Sequence, residues 1–265
     1  MKTKWNIGYL PVLVLGCGGV SGSLWGLMQK FCVDDKGLLK PWNLPGILLL
    51  LISLAVVVGV VLLTRPLGGS NRYGDNFGPS RIGGYSAFAA ALGILSMLPQ
   101  GLSGPRDFLS NLWLAMSLLS VPALILTGLS RLKGKRPNFL LHGILCVFFG
   151  IHMSNQYRTW SSDPQLVDYA YQLAASVCLA LNTYFLAAFA VGIGRRLKQL
   201  LAGLLAAYFC LACICVEGCG LFYLTCGIWA TANLCDLQPR PRRRRPAPEA
   251  AAEPPAAPSA PEEQS

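Results

Sequence analysis

Charge is what this sequence has least of. Only 13% of its 265 residues are Asp, Glu, Lys or Arg, about half the share of a soluble globular domain. With 53% hydrophobic residues and a mean hydropathy of +0.48, the scarcity excludes an ordinary water-soluble fold. Lipid is the expected solvent for most of the chain. Acidic residues are rarer than basic ones, 12 against 22, and none falls in the middle of an apolar run. This argues against a proton-coupled carrier, in which intramembrane carboxylates mark the proton path. Histidine is limited to His142 and His152. Ten residues apart on one expected helix, they are separated by about 15 Å and cannot share a single metal ion or haem. No HExxH, GxSxG or paired-carboxylate arrangement occurs, so no catalytic residue, metal site or cofactor is expected and an enzymatic role ranks last.

What the chain has is apolar length. A membrane span needs about 17 to 25 such residues, which gives a first span over about 7–28 and a second over 46–64. Val14 to Cys17 resembles a lipoprotein cleavage site, but the apolar run continues to Met28, so a retained span is expected. Spans three and four follow over about 82–98, ending at Pro99, and 108–129, with Pro122 inside. Span five runs from Asn138 to about Met153 and span six from about Pro164 to Ile193. The last block, Leu200 to Cys235, would be about 54 Å long as one helix, against a hydrocarbon core of about 30 Å. It reads as two short spans turning at Glu217-Gly218-Cys219-Gly220. The segments 29–45 and 65–81 read as loops, the second too rich in Gly, Asn and Ser for a packed element.

Charge placement sets the topology. With eight spans and an inside amino terminus, the cytoplasmic segments collect 17 of the 22 basic residues, including Arg131 to Arg136, Arg195 to Lys198 and Arg240 to Arg245. A seven-span chain would put the arginine tail outside and break the positive-inside pattern. The expected architecture is all-α: a polytopic bundle of eight transmembrane helices over residues 1–236, both termini cytoplasmic. The Arg-, Pro- and Ala-rich segment 237–265 is expected to be a disordered tail.

Three local patterns carry further expectations. Gly18, Gly22 and Gly26 are spaced by four, so they share one helix face and form a groove for a closely packed neighbour. Cys210, Cys213, Cys215 and Cys219 crowd along one helix instead of pairing on turns, which points to small packing residues and not to zinc. Asp163-Pro164 is a helix-start signal, and below it Gln165, Asp168, Gln172, Ser176 and Thr183 fall on one side of span six, with Asn182 at the margin. That polar stripe is either interhelical hydrogen bonding or the wall of an outward-facing cavity between spans five and six. The candidate binding residues are His152, Arg158, Trp160, Asp168 and Gln172.

The run QYRTWSSDPQLVDY, the preceding RLKGKRPNFLLHGILC and the stretch from Phe222 to Leu234 resemble a family of multi-span membrane proteins of Clostridia and other Firmicutes whose activity is not known. The resemblance covers most of the chain apart from the tail and implies a bacterial cytoplasmic membrane location, with no catalytic residue to carry over. The expected function is a structural or accessory membrane component that binds partner helices or lipid. The alternative is small-solute binding or transport. The expected partners are thus the lipid bilayer, a membrane protein partner and a small solute, with no specific nucleic acid.

Overall fold

The structure is a computed structural model that describes residues 9–32, 43–65, 73–103, 107–160, 169–216 and 218–237, with the backbone alone at 75, 100, 159 and 160. Among the described residues the regular structure is helical: α1 (Tyr9–Phe31), α2 (Leu44–Thr64), the single turn α3 (Tyr73–Asn76), α4 (Arg81–Ser103), α5 (Phe108–Leu132), α6 (Phe139–Trp160), α7 (Ala170–Val191), α8 (Arg196–Ala212) and α9 (Gly220–Cys235). Six of them, α1, α2 and α4 to α7, are long and apolar enough to cross a membrane. The other two long helices, α8 and α9, have 17 and 16 residues, or about 25 Å each at 1.5 Å per residue.

Shortness is compatible with where these two sit. α8 packs on α1, α2, α7 and α9, while α9 packs on α4 and α8 and touches α7 and α1. Their residues are mostly buried, among them Leu204, Tyr208, Cys210, Phe222, Tyr223 and Trp229. Surrounded by protein, they would meet little lipid in a bilayer, whose thickness a peripheral helix must match. α4, α5, α6 and α7 form the outer wall, each packed on the next, and α1 and α2 lean on α8. The outward side of α2 is apolar, with Leu50, Leu51, Leu54 and Leu62 more than half exposed.

Local chemistry explains several boundaries. α2 starts where Asn43 Oδ1 accepts the Gly46 amide at 2.6 Å, with Pro45 in the first turn, where its missing N–H costs nothing. The turn expected at 217–220 separates α8 from α9, with Gly218 at φ 76. The groove expected on α1 is filled. A side chain on Gly18 would meet Leu211 Cβ at 2.8 Å, and one on Gly22 would meet the Leu211 carbonyl at 2.6 Å, so α8 approaches α1 as closely as glycine allows.

Other boundaries differ from the sequence reading. Pro99 does not end its helix; α4 runs through it to Ser103. α6 continues past Met153 to Trp160, which places Arg158 on a helix and not in a loop. The segment 73–80, read as irregular loop, packs: Phe77 is buried, its ring lies edge-on to Phe189 of α7, and its backbone bridges to Leu237. The expected helix start at Asp163-Pro164, Gln165, Glu217 and the tail beyond residue 237 lie outside the described residues.

Candidate functional site

From α4 to α9 each helix packs on the next in the chain, so these helices alternate in direction and the bundle has two distinct ends. One end gathers the exits of α5, α7 and α9 with the entries of α4, α6 and α8, and it carries the exposed Arg81, Lys133, Lys135, Arg136, Arg195 and Lys198. The opposite end carries α6's exit and α7's entry, where the candidate binding residues were expected.

At that opposite end the structure places three of the five. His152 is buried, and its Nδ1 accepts the Trp113 indole N–H at 3.0 Å. An accepting Nδ1 puts the proton of a neutral ring on Nε2; this atom is buried with no protein partner. Phe148 stacks on the ring at 5.9 Å and Phe222 meets it edge-on at 5.0 Å. Arg158 turns instead to Asp107 at 2.6 Å, a pair about half exposed. Gln172 is buried on α7, its carbonyl 3.0 Å from the Ser176 hydroxyl. The side chain of Trp160 and all of Asp168 lie outside the described residues.

The polar face of α7 is buried against its neighbours. Ser176 Oγ is 3.3 Å from Gln156 Oε1 of α6, and Gln156 Nε2 donates to the Tyr223 hydroxyl of α9 at 3.0 Å. Lower on α7, Asn182 Oδ1 accepts from Gln199 Nε2 of α8 at 2.7 Å. The two remaining amide atoms, Asn182 Nδ2 and Gln199 Oε1, are buried with no protein partner. A second polar knot joins the other side of the bundle: Tyr208 of α8 bonds Ser21 of α1 and Ser53 of α2, both at 2.8 Å, and Ser53 also meets Tyr171 of α7 at 3.0 Å.

The basic end holds the feature least visible in the sequence. Arg131, expected only as a topology-setting loop charge, is 4% exposed and pairs with Asp236 at 2.7 Å. Its Nη1 donates to the Tyr73 hydroxyl at 2.9 Å, and its guanidinium lies 4.6 Å from the Phe77 ring centroid. One buried cation therefore ties α5 to α3 and to the end of α9. Nearby, Arg196 of α8 is buried and donates to Asn76 at 3.3 Å. The sequence signal was Asp236 itself, a lone acid directly after the last apolar block.

Cys210 of α8 lies near Cys178 of α7, Cys226 of α9 and Cys213. Cys210 lies against Gly227, where an added side chain would begin 3.1 Å from its Cβ, and Cys215 faces Gly26. Among the described residues no group of three or more His, Cys, Asp or Glu is placed to hold a metal ion. Apolar spans, inward polarity and a basic end define a helical bundle suited to a bilayer. No family model, curated protein or solved structure matches the chain.

Proposed function

We propose that the chain is an eight-span integral protein of the bacterial cytoplasmic membrane, with both termini inside, and that it serves as a structural or accessory component by binding lipid and partner helices. The observation that carries the reading is the direction of its polarity. Hydroxyls and amides from α1, α2, α6, α7, α8 and α9 bond one another across helix interfaces, while the outward sides of α1 and α2 present Val12, Leu13, Leu50 and Leu54. A backbone without water must be satisfied within the bundle, and side chains that reach lipid must be apolar. Charge supports the orientation, since the basic end matches the leaflet on which Lys and Arg accumulate. The location also rests on the resemblance to Firmicute membrane proteins. The experiment is affinity purification of the full chain in mild detergent: a reproducible membrane partner is expected, and repeated recovery of the protein alone would count against the accessory role.

A second reading, small-solute binding between α6 and α7, is favoured by one observation. His152 Nε2, on α6 among the candidate binding residues, is a buried donor without a protein partner, and such an atom calls for water or a polar ligand. Cysteines introduced at Gln172 and Arg158 test it. Labelling by a membrane-impermeant thiol reagent in intact cells is expected of a cavity, and resistance at both positions would end the reading.

A further inference from the structure

α5 and α7 end by the same motif, and their two exits meet. In each helix a glycine takes the left-handed conformation, Gly134 at φ 64 and Gly192 at φ 98. The amides of Gly134 and Lys135 return to the carbonyls of Arg131 and Ser130, and those of Gly192 and Ile193 to Phe189 and Ala188. This closure satisfies the last carbonyls and turns the chain sharply out of the helix. It delivers Lys133, Lys135 and Arg136 from one link and Arg195 and Lys198 from the other, all exposed. The Arg136 Nη2 lies 3.7 Å from the point where a side chain on Gly192 would begin, so the two links are side by side.

Apolar side chains lie beside these cations. Ile193 is 70% exposed and Val191 53%. Lys198 extends its ammonium to 6.0 Å from the Phe185 ring centroid on α7, as a lysine does when its stem covers apolar surface and its head seeks the interface. Cations beside exposed aliphatic groups match a molecule with an anionic head and apolar chains. They do not match a free anion, which would leave Ile193 and Val191 in water.

We propose that the paired α5–α6 and α7–α8 links form a docking surface for an acidic phospholipid, its phosphate held by Arg136, Arg195 and Lys198 and its chains lying on Val191 and Ile193. The proposal rests on the reading that this end lies at the cytoplasmic face, where acidic lipid is attracted by juxtamembrane cations. It goes beyond charge as a topology signal, which requires no retained lipid.

The test uses the full chain in nanodiscs of phosphatidylcholine with a minor share of phosphatidylglycerol, released for native mass spectrometry. Phosphatidylglycerol is expected to stay bound in preference to phosphatidylcholine, and raised salt should reduce its retention. Removing the cations singly and together (Arg136→Ala, Arg195→Ala, Lys198→Ala) should weaken retention by roughly fivefold for each one lost, while Lys30→Ala at the opposite end leaves it unchanged. If the triple variant does not fold, the single variants and the salt series on the unaltered chain decide. Equal retention of the two lipids, or unaltered retention without the three cations, overturns the proposal. Carbonate extraction separates the two claims: a chain washed from membranes fails the membrane reading, whereas a chain that stays but shows no acidic-lipid preference fails this proposal alone.

Discussion

Ser53 has one proton and two lone pairs, and its network uses all three. Its hydroxyl donates to the Leu49 carbonyl at 2.7 Å, so it must accept from both Tyr208 and Tyr171. Tyr208, its proton spent, then accepts from Ser21. Ser53→Ala therefore strips an acceptor from two tyrosines at once. The expected loss is between about 0.6 and about 1.7 kcal/mol, the average and the maximum for a hydrogen bond between membrane helices, read as a lower unfolding midpoint in mild detergent. Ser23→Ala, whose hydroxyl is exposed and bonds only the Gly19 carbonyl one turn back, should stay within about 0.5 kcal/mol.

The two ion pairs give a sharper contrast because burial, not distance, separates them. Arg131–Asp236 and Arg158–Asp107 are 2.7 and 2.6 Å long, but the first is 4% and 10% exposed and the second 55% and 49%. Arg131→Met leaves a buried carboxylate without its cation and should cost about 3–5 kcal/mol. Arg158→Ala should cost less than about 1 kcal/mol. Adding Asp236→Leu to Arg131→Met should recover part of the loss, because the stranded charge is then gone. Neither pair was legible in the sequence. Arg131 and Asp236 lie 105 residues apart, and no periodicity within either segment says which helix faces which.

Helix contacts set by residues four apart were legible, because the helix itself fixes that geometry. Gly18, Gly22 and Gly26 had to share a face, and that face meets the last turn of α8 and the residues after it. The prediction at this scale concerns the third glycine. A side chain on Gly26 would begin 3.5 Å from Cys215 Cβ, within the Cβ separation of a disulfide. Gly26→Cys should therefore cross-link to Cys215 under mild oxidation, seen as a mobility shift that reducing agent and Cys215→Ser both abolish. Absence of the shift would mean that α1 does not seat against the α8–α9 turn. Boundaries were less legible where chain context overrides a local rule. Pro99 looked like a helix end, yet α4 absorbs it, and Ser103, four residues on, bonds its carbonyl. The polar letters of 154–158 looked like loop, yet Gln156 uses them to reach Tyr223 across the bundle.

For the whole molecule, composition was enough to give the all-helical class, since apolar runs of this length have few other ways to satisfy their backbone in lipid. The division of the last block was legible too, because a single helix of 36 residues would overshoot the bilayer and Gly218 and Gly220 mark the break. The enclosure of α8 and α9 was not. α9 is as apolar as most of the outer helices and α8 only slightly less so than α6, so only packing shows that the two shortest long helices form the centre. That arrangement makes the span count the claim on which orientation, leaflet and lipid docking all depend. Reporters fused after Arg245 test it most directly. Eight spans predict activity from a reporter that works only in the cytoplasm and silence from one that works only after export. The reverse pattern would remove a span, place the arginines outside and overturn the topology.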